Sequence, residues 1–279
     1  MDSQVNTQSS PQIFEREYYQ RLYDIEEKHW WAQGMRDAMV ALLHQPIAGK
    51  QNLRVLDAGC GTGYLLNFLQ QNYPLDGEPV GIDVSPHALQ FCELRGSKNL
   101  KLASVIEIPF ADASFDLIIC IDTIQHLSPA DAPRKAIAEF ARLLKPDGLL
   151  YLRTNSILGH PPLQGVDPDQ YRRYDCVTVK QMLIEAGLKV ERATYLNAIP
   201  SVPATIKEYI RASQPKQHTT AAIGPGLAIQ PPSPRPSLSG FIKHRMLKFE
   251  AWLLGSLHMD IPFGHSCGFV ARRSSKTIS

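Results

Sequence analysis

The chain has 279 residues, of which 44% are hydrophobic and 20% charged, and its formal net charge is +2. These values are ordinary for a globular protein, so they exclude a highly charged disordered chain. A net charge this small also predicts no overall positive electrostatic field that would attract polyanions. The five cysteines are widely spaced and lack a Cys-x-x-Cys pair, which argues against a disulfide framework or a zinc site and favours a reducing compartment.

The N-terminus shows no signal-peptide pattern, and residues 1–12 are expected to be a disordered tail. No apolar run reaches the roughly 18–20 residues that a membrane-spanning helix needs. We therefore expect a cytoplasmic protein without a transmembrane segment. Residues 13–49 are predicted to form a helical cap, because apolar residues recur at positions 14, 18, 22 and 25 and again from Met35 to Leu43.

Strand and helix patterns alternate after this cap. Helices are predicted at 64–71, 85–96, 131–148 and 177–188, with Ser85 as the N-cap of the second. Strands are predicted at 53–59, 79–83, 100–104, 115–122, 148–155, 189–196 and 266–273. Nearly continuous apolar strands that alternate with helices predict an α/β fold with a parallel, doubly wound, Rossmann-like sheet. Its core is assigned to residues 50–196, and the last strand and tail to residues 266–279.

The connection between the last two strands, residues 197–265, is unusually long. It contains the Pro/Ser-rich stretch QPPSPRPSLSG and then a helical pattern at 241–257. The apolar face of that helix is predicted to contain Ile242, Met246, Phe249, Leu253 and Leu257. We expect the helix to fold back on its own domain, and a membrane surface is the alternative. Because the connection leaves the carboxyl edge of the sheet, where ligands bind in such folds, the segment is predicted to be a lid over the active site.

The segment VLDAGCGTG combines a strand end with a glycine loop. Its glycines at 59, 61 and 63 form GxGxG, and Tyr64 takes the place of the third glycine of the dinucleotide fingerprint. No Gly-Lys-Ser/Thr follows, which excludes a Walker A loop. An acid at Asp57 would repel a pyrophosphate but attract an ammonium group. The loop therefore favours a ligand with positive charge and no phosphates.

A second acid, Asp83, ends the next strand. A carboxylate at this position can accept hydrogen bonds from both ribose hydroxyls of an adenosyl group. Taken singly, Asp57 or Asp83 is as readily explained as a helix cap or a solvated turn residue. Their placement at the ends of adjacent parallel strands favours a shared ligand.

Four blocks in order, VLDAGCGTG, VGIDVSPHAL, FDLIICIDTIQHL and LLKPDGLLYL, resemble the class I S-adenosylmethionine-dependent methyltransferases across residues 53–154. More loosely, the chain resembles a subgroup associated with glycan or natural-product genes. That likeness lies in a Tyr-to-His-Trp-Trp segment at 23–31, an RRY motif before a helix, a VERATY strand and a terminal PFGHS segment. The resemblance implies a seven-stranded sheet and S-adenosyl-L-methionine as cofactor, with S-adenosyl-L-homocysteine as product.

The resemblance also implies a set of cofactor-binding residues: Asp57, Gly59, Cys60, Gly61, Asp83, Val84, Ser104, Val105, Ile121 and Asp122. Asp57, Gly59 and Gly61 would hold the methionine part, Asp83 the ribose and Val84 the adenine. Ile121 and Asp122 would lie near the methyl sulfonium. Many relatives have an acid for the adenine amino group where this chain has Ser104. Ser104 can still form a hydrogen bond, so we expect the affinity for the cofactor to be altered rather than abolished.

The candidate catalytic residue is His126, which follows the fourth strand. Methyl transfer from a sulfonium needs positioning and desolvation, and a base where the nucleophile must lose a proton. An imidazole titrates near neutrality, as such a base should. Relatives often carry Glu-His-Leu here, so a role in bracing the loop is an equal alternative.

Candidate acceptor-pocket residues are His29, Trp30, Trp31, Arg36, His160, Tyr171 and Arg172. The Trp pair is placed at the end of an N-terminal helix, where it could roof the site against water or staple the helix to the sheet. The last three residues belong to the loop after the fifth strand. An arginine there could meet an anionic acceptor or be solvated.

The preferred function is methyl transfer to an O, N or C nucleophile of a small molecule, whether a natural product, a lipid-linked compound or a sugar. A roofed pocket suits such acceptors better than duplex nucleic acid, which needs an open basic face, so no nucleic-acid partner is expected. Weak association with a membrane surface stays open, and the sequence does not indicate the oligomeric state. The alternatives are a nucleic-acid methyltransferase, although no Asn/Asp-Pro-Pro-Tyr/Phe signature follows the fourth strand, and a non-catalytic scaffold.

Overall fold

A computed structural model describes residues 14–158, 171–203, 206, 210 and 238–275. The predicted tail at 1–12 and the candidate pocket residue His160 lie outside these residues. So does most of the Pro/Ser-rich part of the predicted lid.

The described chain forms a mixed seven-stranded sheet. Its strands are β1 Val55–Ala58, β2 Val80–Asp83, β3 Leu100–Leu102, β4 Phe115–Ile121, β5 Leu144–Asn155, β6 Leu188–Leu196 and β7 Ser266–Arg273. The spatial order is β3-β2-β1-β4-β5-β7-β6, with β1 to β5 parallel and β7 antiparallel to both of its neighbours. The predicted Rossmann-like sheet is confirmed. Both β1 and β2 are buried along their whole length, as expected for parallel strands covered on both faces.

Seven α-helices flank the sheet in the described residues. They are α1 Arg16–Ile25, α2 Trp30–His44, α3 Tyr64–Asn72, α4 Pro86–Leu94, α5 Ala132–Leu143, α6 Cys176–Glu185 and α7 Leu238–Ser256, with short 3-10 helices at Ile124–His126 and Ile199–Ser201. One face of the sheet packs against α5 and α6, and the other face packs against α2 and α7. None of the described helices combines the length and the apolar character needed to cross a membrane.

The predicted helix at 131–148 is shorter than expected. Helix α5 ends at Leu143, and β5 begins at the next residue. Phe115 pairs with Leu144, but Leu117 pairs with Leu149, so the Lys-Pro-Asp-Gly segment forms an irregularity inside the β4–β5 ladder. Asp147 in this segment has φ +61°, a conformation incompatible with continuing the helix.

Helix α7 packs on α2, but not through the predicted face. Leu247, Ala251 and Leu254 are buried, whereas the predicted core residues Phe249 and Leu257 are 53% and 54% exposed. Ile242 and Met246 of the predicted face are exposed as well. The rotation of the helix is set by tertiary contacts that its apolar spacing does not reveal.

Two contacts explain this rotation. A Cβ atom built on Gly34 of α2 would lie only 2.3 Å from Leu247 Cδ1, so the glycine makes room for the leucine. The buried carboxylate of Glu250 accepts backbone N–H hydrogen bonds from Asn197, Ala198 and Ile199 at 2.6, 2.9 and 3.2 Å. Turning α7 to bury Phe249 would break these bonds and leave a buried carboxylate without donors, which is costly.

Candidate active site

The glycine loop lies between β1 and α3 at the carboxyl edge of the sheet. Gly59 has φ +86°, and a Cβ atom there would lie 2.2 Å from Thr123 Oγ1. Gly63 has φ +79°, and its Cβ atom would lie 3.0 Å from the Cα atom of Cys92 on α4. A side chain at either position would therefore meet both backbone strain and a steric clash. The glycines allow the loop to bend tightly and to pack against its neighbours.

Asp57 and Asp83 lie on either side of this loop. The Asp83 carboxylate accepts hydrogen bonds from the backbone N–H groups of Gly61 at 3.0 Å and Ser85 at 2.9 Å. Asp57 is 2% exposed, and its Oδ2 atom accepts no hydrogen bond from any residue that the structure describes. Burial, with smaller contributions from Asp83 and Glu26, raises the pKa of Asp57 to about 8. Burial also raises the pKa of Asp83, although three backbone N–H groups oppose the shift.

A cavity of about 300 Å³ opens above these two acids. Its lining residues come from α1 and α2, from the glycine loop and from the segments that follow β2 and β4: Phe14, Tyr18, Tyr19, Leu22, Ile25, Glu26, His29, Trp31, Ala32, Arg36, Met39, Asp57, Gly59, Cys60, Gly61, Thr62, Tyr64, Leu65, Asp83, Val84, Ala103, Val105, Ile121, Asp122, Thr123, His126, Leu127 and Arg153. Most of these side chains are apolar or aromatic, and two of the lining acids, Asp83 and Glu26, lie close enough to Asp57 to raise its pKa. Such a cavity can bury an organic ligand and orient one charged end of it.

Helix α1 covers the cavity and is tied to the glycine loop. Arg95, at the end of α4, donates to the Thr62 carbonyl at 3.0 Å, to the Tyr23 carbonyl at 3.1 Å and to Glu26 at 2.9 Å. Glu26 also accepts a hydrogen bond from the Thr62 hydroxyl. Burial raises the pKa of Glu26 to about 7. It also raises the pKa of Tyr18, which lies on α1, to about 12. The roof of the cavity therefore adds a third acid close to Asp57.

The opposite wall is formed by the ends of β4 and β5. Asp122 has φ +53° and forms an ion pair with Arg153, whose Nε lies 3.2 Å from the Asp122 Oδ1 atom. The Arg153 guanidinium lies 5.0 Å from the ring of Trp31, a cation–π distance. This pairing neutralises Asp122, so the acid at this end of the cavity does not carry an isolated charge.

Most residues predicted for the site are brought together around the cavity. Those that line it are His29, Trp31, Arg36, Asp57, Gly59, Cys60, Gly61, Asp83, Val84, Val105, Ile121, Asp122 and His126. The Trp pair begins α2 rather than ending the helix before it, because the chain turns at 26–29. As a result Trp31 faces the cavity, whereas Trp30 lies against Lys243 of α7 at 5.2 Å.

Three other predicted residues do not line the cavity. The Ser104 hydroxyl accepts a hydrogen bond from the Ile106 N–H at 3.4 Å. The Tyr171 hydroxyl accepts one from the Asn155 amide at 2.6 Å, and its ring lies 5.4 Å from that of His126. Arg172 donates to the carbonyl of Leu127. Tyr171 and Arg172 therefore brace the loop that carries His126.

Several lining residues were not predicted. Phe14, Tyr18, Leu22 and Ile25 were predicted only as the apolar face of the cap, and all four line the cavity. Tyr19, which was not predicted, lines it as well and is buried like Ile25. Arg153 carried a usable signal, since it is a charge within the otherwise apolar strand LLYLRTN. Glu26 offered no comparable signal, because acids are common at helix ends.

The segment predicted as a lid stays a prediction. Its described residues, 197–203, 206, 210 and 238–265, contribute nothing to the lining of the cavity. The roof that the structure describes is built instead by α1 and the start of α2.

Comparisons with known proteins agree with this architecture. Residues 56–152 match the family model described as a methyltransferase domain. The chain is 35% identical over 104 residues to O-methyltransferase rstn1 of Aspergillus nomiae, which is 35% of this chain and 44% of that protein. It is 28% identical over 149 residues to the tRNA (carboxymethyluridine(34)-5-O)-methyltransferase of Arabidopsis thaliana, which is 53% of this chain and 34% of that protein.

The chain spans 39%, 64% and 34% of the lengths of the first curated relatives that it matches. Among solved structures, the fold is similar to phosphoethanolamine N-methyltransferase 2 of Haemonchus contortus in complex with phosphomonomethylethanolamine and S-adenosylhomocysteine. The TM-score is 0.57 at 18% identity, covering 95% of this chain and 58% of that chain. The sheet order, the glycine loop and the matched segment show that residues 56–152 form a methyltransferase domain of the class I type, whose cofactor is S-adenosylmethionine.

Proposed function

We propose that this protein transfers a methyl group from S-adenosylmethionine to an O, N or C nucleophile of a small acceptor. The observation that carries the proposal is the buried carboxyl group of Asp57, which lines the cavity and whose Oδ2 atom lacks a donor among the described residues. Asp83 and Glu26 lie close enough to raise the pKa of Asp57 further, and burial raises the pKa of each of these two acids as well. Three acids around one apolar cavity are complementary to a ligand with positive charge and no phosphate groups.

The chain's own residues fit this cofactor. Asp57 would accept the ammonium group, with the backbone of the glycine loop along the methionine part. Asp83, already oriented by Gly61 and Ser85, would accept the ribose hydroxyls, and Val84 would cover the adenine. When bound, the cofactor supplies an electrophilic methyl group on a sulfonium. Helix α1 would exclude water from it, which strengthens every electrostatic contact inside the site.

His126 is the residue that we propose to accept a proton from the acceptor where the nucleophile is a hydroxyl. It ends the 3-10 helix after β4 and lines the cavity. Tyr171 and Gln125 hold the ring. The ring centroids of His126 and Tyr171 lie 5.4 Å apart, and the Nε2 atoms of His126 and Gln125 lie 3.4 Å apart. A held imidazole at the cavity wall can act as a general base once an acceptor is bound.

The size and roof of the cavity support a small acceptor, such as a natural product, a sugar or the head of a lipid-linked compound. A volume of about 300 Å³ is at the lower end of ligand pockets, so cofactor and acceptor together would need α1 to adjust. A nucleic-acid acceptor is the second candidate, because three relatives are named as methyltransferases of tRNA or rRNA. A single extruded nucleotide could enter such a cavity, whereas a duplex could not.

Two measurements test the proposal. Isothermal titration should show one site for S-adenosylmethionine and for S-adenosylhomocysteine. Incubation with cofactor tritiated on the methyl group should then label a fraction of a small-molecule extract and not total RNA. Absence of cofactor binding by folded protein would overturn the proposal and favour a scaffold. Label in RNA alone would keep the methyltransferase activity but replace the acceptor class.

A further inference from the structure

The side of α7 that faces away from α2 is an exposed apolar surface, which we call the outer face. It consists of Leu238, Phe241, Ile242, Arg245, Phe249 and Trp252, with Lys248 at its border. Phe241, Phe249 and Trp252 are 64%, 53% and 49% exposed. The rings of Phe249 and Trp252 stack with centroids 5.7 Å apart. Exposed apolar residues that form one contiguous patch with a polar rim are typical of an interaction site.

The outer face is held in a fixed orientation. The opposite side of α7 is anchored by Leu247 against Gly34, by Gly255 against Ala41, where a Cβ atom would lie 3.1 Å away, and by the three backbone hydrogen bonds to Glu250. Rotating α7 to bury the aromatic residues would break all of these contacts. The exposure of the outer face is therefore a property of the packed domain and not of a loose helix.

The exposed charges carried by α7 itself have one sign. Helix α7 contains one acid, Glu250, and that carboxylate is buried on the inner side. Lys243 lies over the ring of Trp30, and neither Arg245 nor Lys248 forms an ion pair with a residue that the structure describes. Helix α7 carries three basic residues, Lys243, Arg245 and Lys248, although the whole chain has a net charge of only +2.

We propose that the outer face docks on an anionic membrane surface, with α7 lying in the plane of the interface. Aromatic and aliphatic side chains flanked by lysine and arginine, with no exposed acid, are the pattern of a helix that inserts shallowly and is attracted by anionic headgroups. Trp252 suits the interface, because an indole is apolar with one polar edge. The inference is independent of the acceptor.

Vesicle binding tests the proposal with the full chain. The protein is sedimented with vesicles of phosphatidylcholine alone and with vesicles that contain 30% phosphatidylserine, where this fraction is on the order of that in an anionic leaflet. Binding is expected to the anionic vesicles and to weaken with added salt. The emission of Trp252 should shift to the blue, and W252F should retain binding while losing most of the shift.

Two variants separate the apolar from the charged contribution. F249A/W252A should weaken binding at least about tenfold, because two aromatic side chains no longer leave water. R245Q/K248Q should weaken it about thirtyfold, since each basic residue near an anionic surface contributes a factor of about five. V177A and K180Q/K189Q are matched controls, because these exposed residues lie on α6 and β6, away from α7, and they should bind like the natural sequence.

Three outcomes would overturn the proposal. The first is no binding to anionic vesicles, or equal binding to neutral ones. The second is a spectral shift that persists in W252F, which would place the contact elsewhere. The third is concentration-dependent self-association in light scattering that F249A/W252A abolishes, which would assign the outer face to a second copy of the chain. Circular dichroism of each variant verifies that the fold is retained.

Discussion

Replacing Asp57 by asparagine should stabilise the free protein and at the same time weaken cofactor binding. The substitution keeps the shape of the side chain and removes its charge. In the free protein this carboxyl group is buried, and its Oδ2 atom has no donor from the described residues, so its ionised form is disfavoured. In the complex the same charge would face the cofactor's ammonium group. A residue that served only to support the fold would not show these opposite effects.

The expected gain in stability follows from the pKa of Asp57. Its ordinary value is 3.8, and burial raises it to about 8 in the folded protein. The unfolded chain therefore releases its proton first as the pH rises, and the free energy of unfolding falls between about pH 4 and about pH 8. Each pKa unit corresponds to about 1.4 kcal/mol, so the full shift sets an upper bound of about 6 kcal/mol. We expect the asparagine variant to be more stable by a few kcal/mol at pH 8, and similar to the natural sequence at pH 4.

The expected loss of affinity follows from the lost charge. A hydrogen bond to a charged group contributes about 1.5–3 kcal/mol, which corresponds to about a 10- to 150-fold higher dissociation constant for S-adenosylmethionine. For the natural sequence, binding should release protons near pH 7, because the ammonium group lowers the pKa of Asp57. This release is read from calorimetry in buffers of different ionisation enthalpy.

Thermal unfolding at pH 4 and pH 8 and isothermal titration provide the measurements. Glu78→Gln is the matched control, since it removes an exposed carboxylate remote from the cavity and should change neither quantity by much. Lower stability together with unchanged cofactor affinity would refute the reasoning, because it would make Asp57 a structural residue whose charge the fold needs.

Three further predictions follow from the site and its supports. His126→Ala should slow methyl transfer by about 10²–10⁴-fold with little change in cofactor affinity, and a variant that keeps most of its turnover would give the residue a structural role. Arg95→Met should release α1 from the glycine loop, so hydrogen exchange across 16–25 should rise and the cofactor should bind about tenfold more weakly. Arg134→Met, which loses only an exposed ion pair, is its control, and unchanged exchange in the Arg95 variant would contradict the assignment of α1 as a tethered roof. Gly34→Ala should cost about 1–3 kcal/mol through overlap with Leu247, and the cost should shrink in a Leu247→Ala background, whereas simple additivity would show that the two residues do not compete for space.

The sheet and the cofactor loop could be predicted from the sequence because their signals are local. The apolar strands, the spacing of Gly59, Gly61 and Gly63, and an acid at the end of each of the first two strands are all visible in short segments. Strand ends of a parallel sheet meet at one edge, so local patterns were enough to place Asp57 and Asp83 together.

The roof of the cavity and the orientation of α7 were decided by tertiary structure. The apolar spacing in α1 predicted a helix, but the contacts of Arg95 with the Tyr23 carbonyl and with Glu26 hold the end of α1 over the cavity. In α7 both sides of the helix are apolar, so periodicity could not choose between them. The choice rests on Gly34 and on backbone N–H groups near Asn197, which are distant in sequence. A glycine that makes room and a carboxylate that needs donors act only once the chain has folded, and for that reason the sequence alone predicted the wrong face.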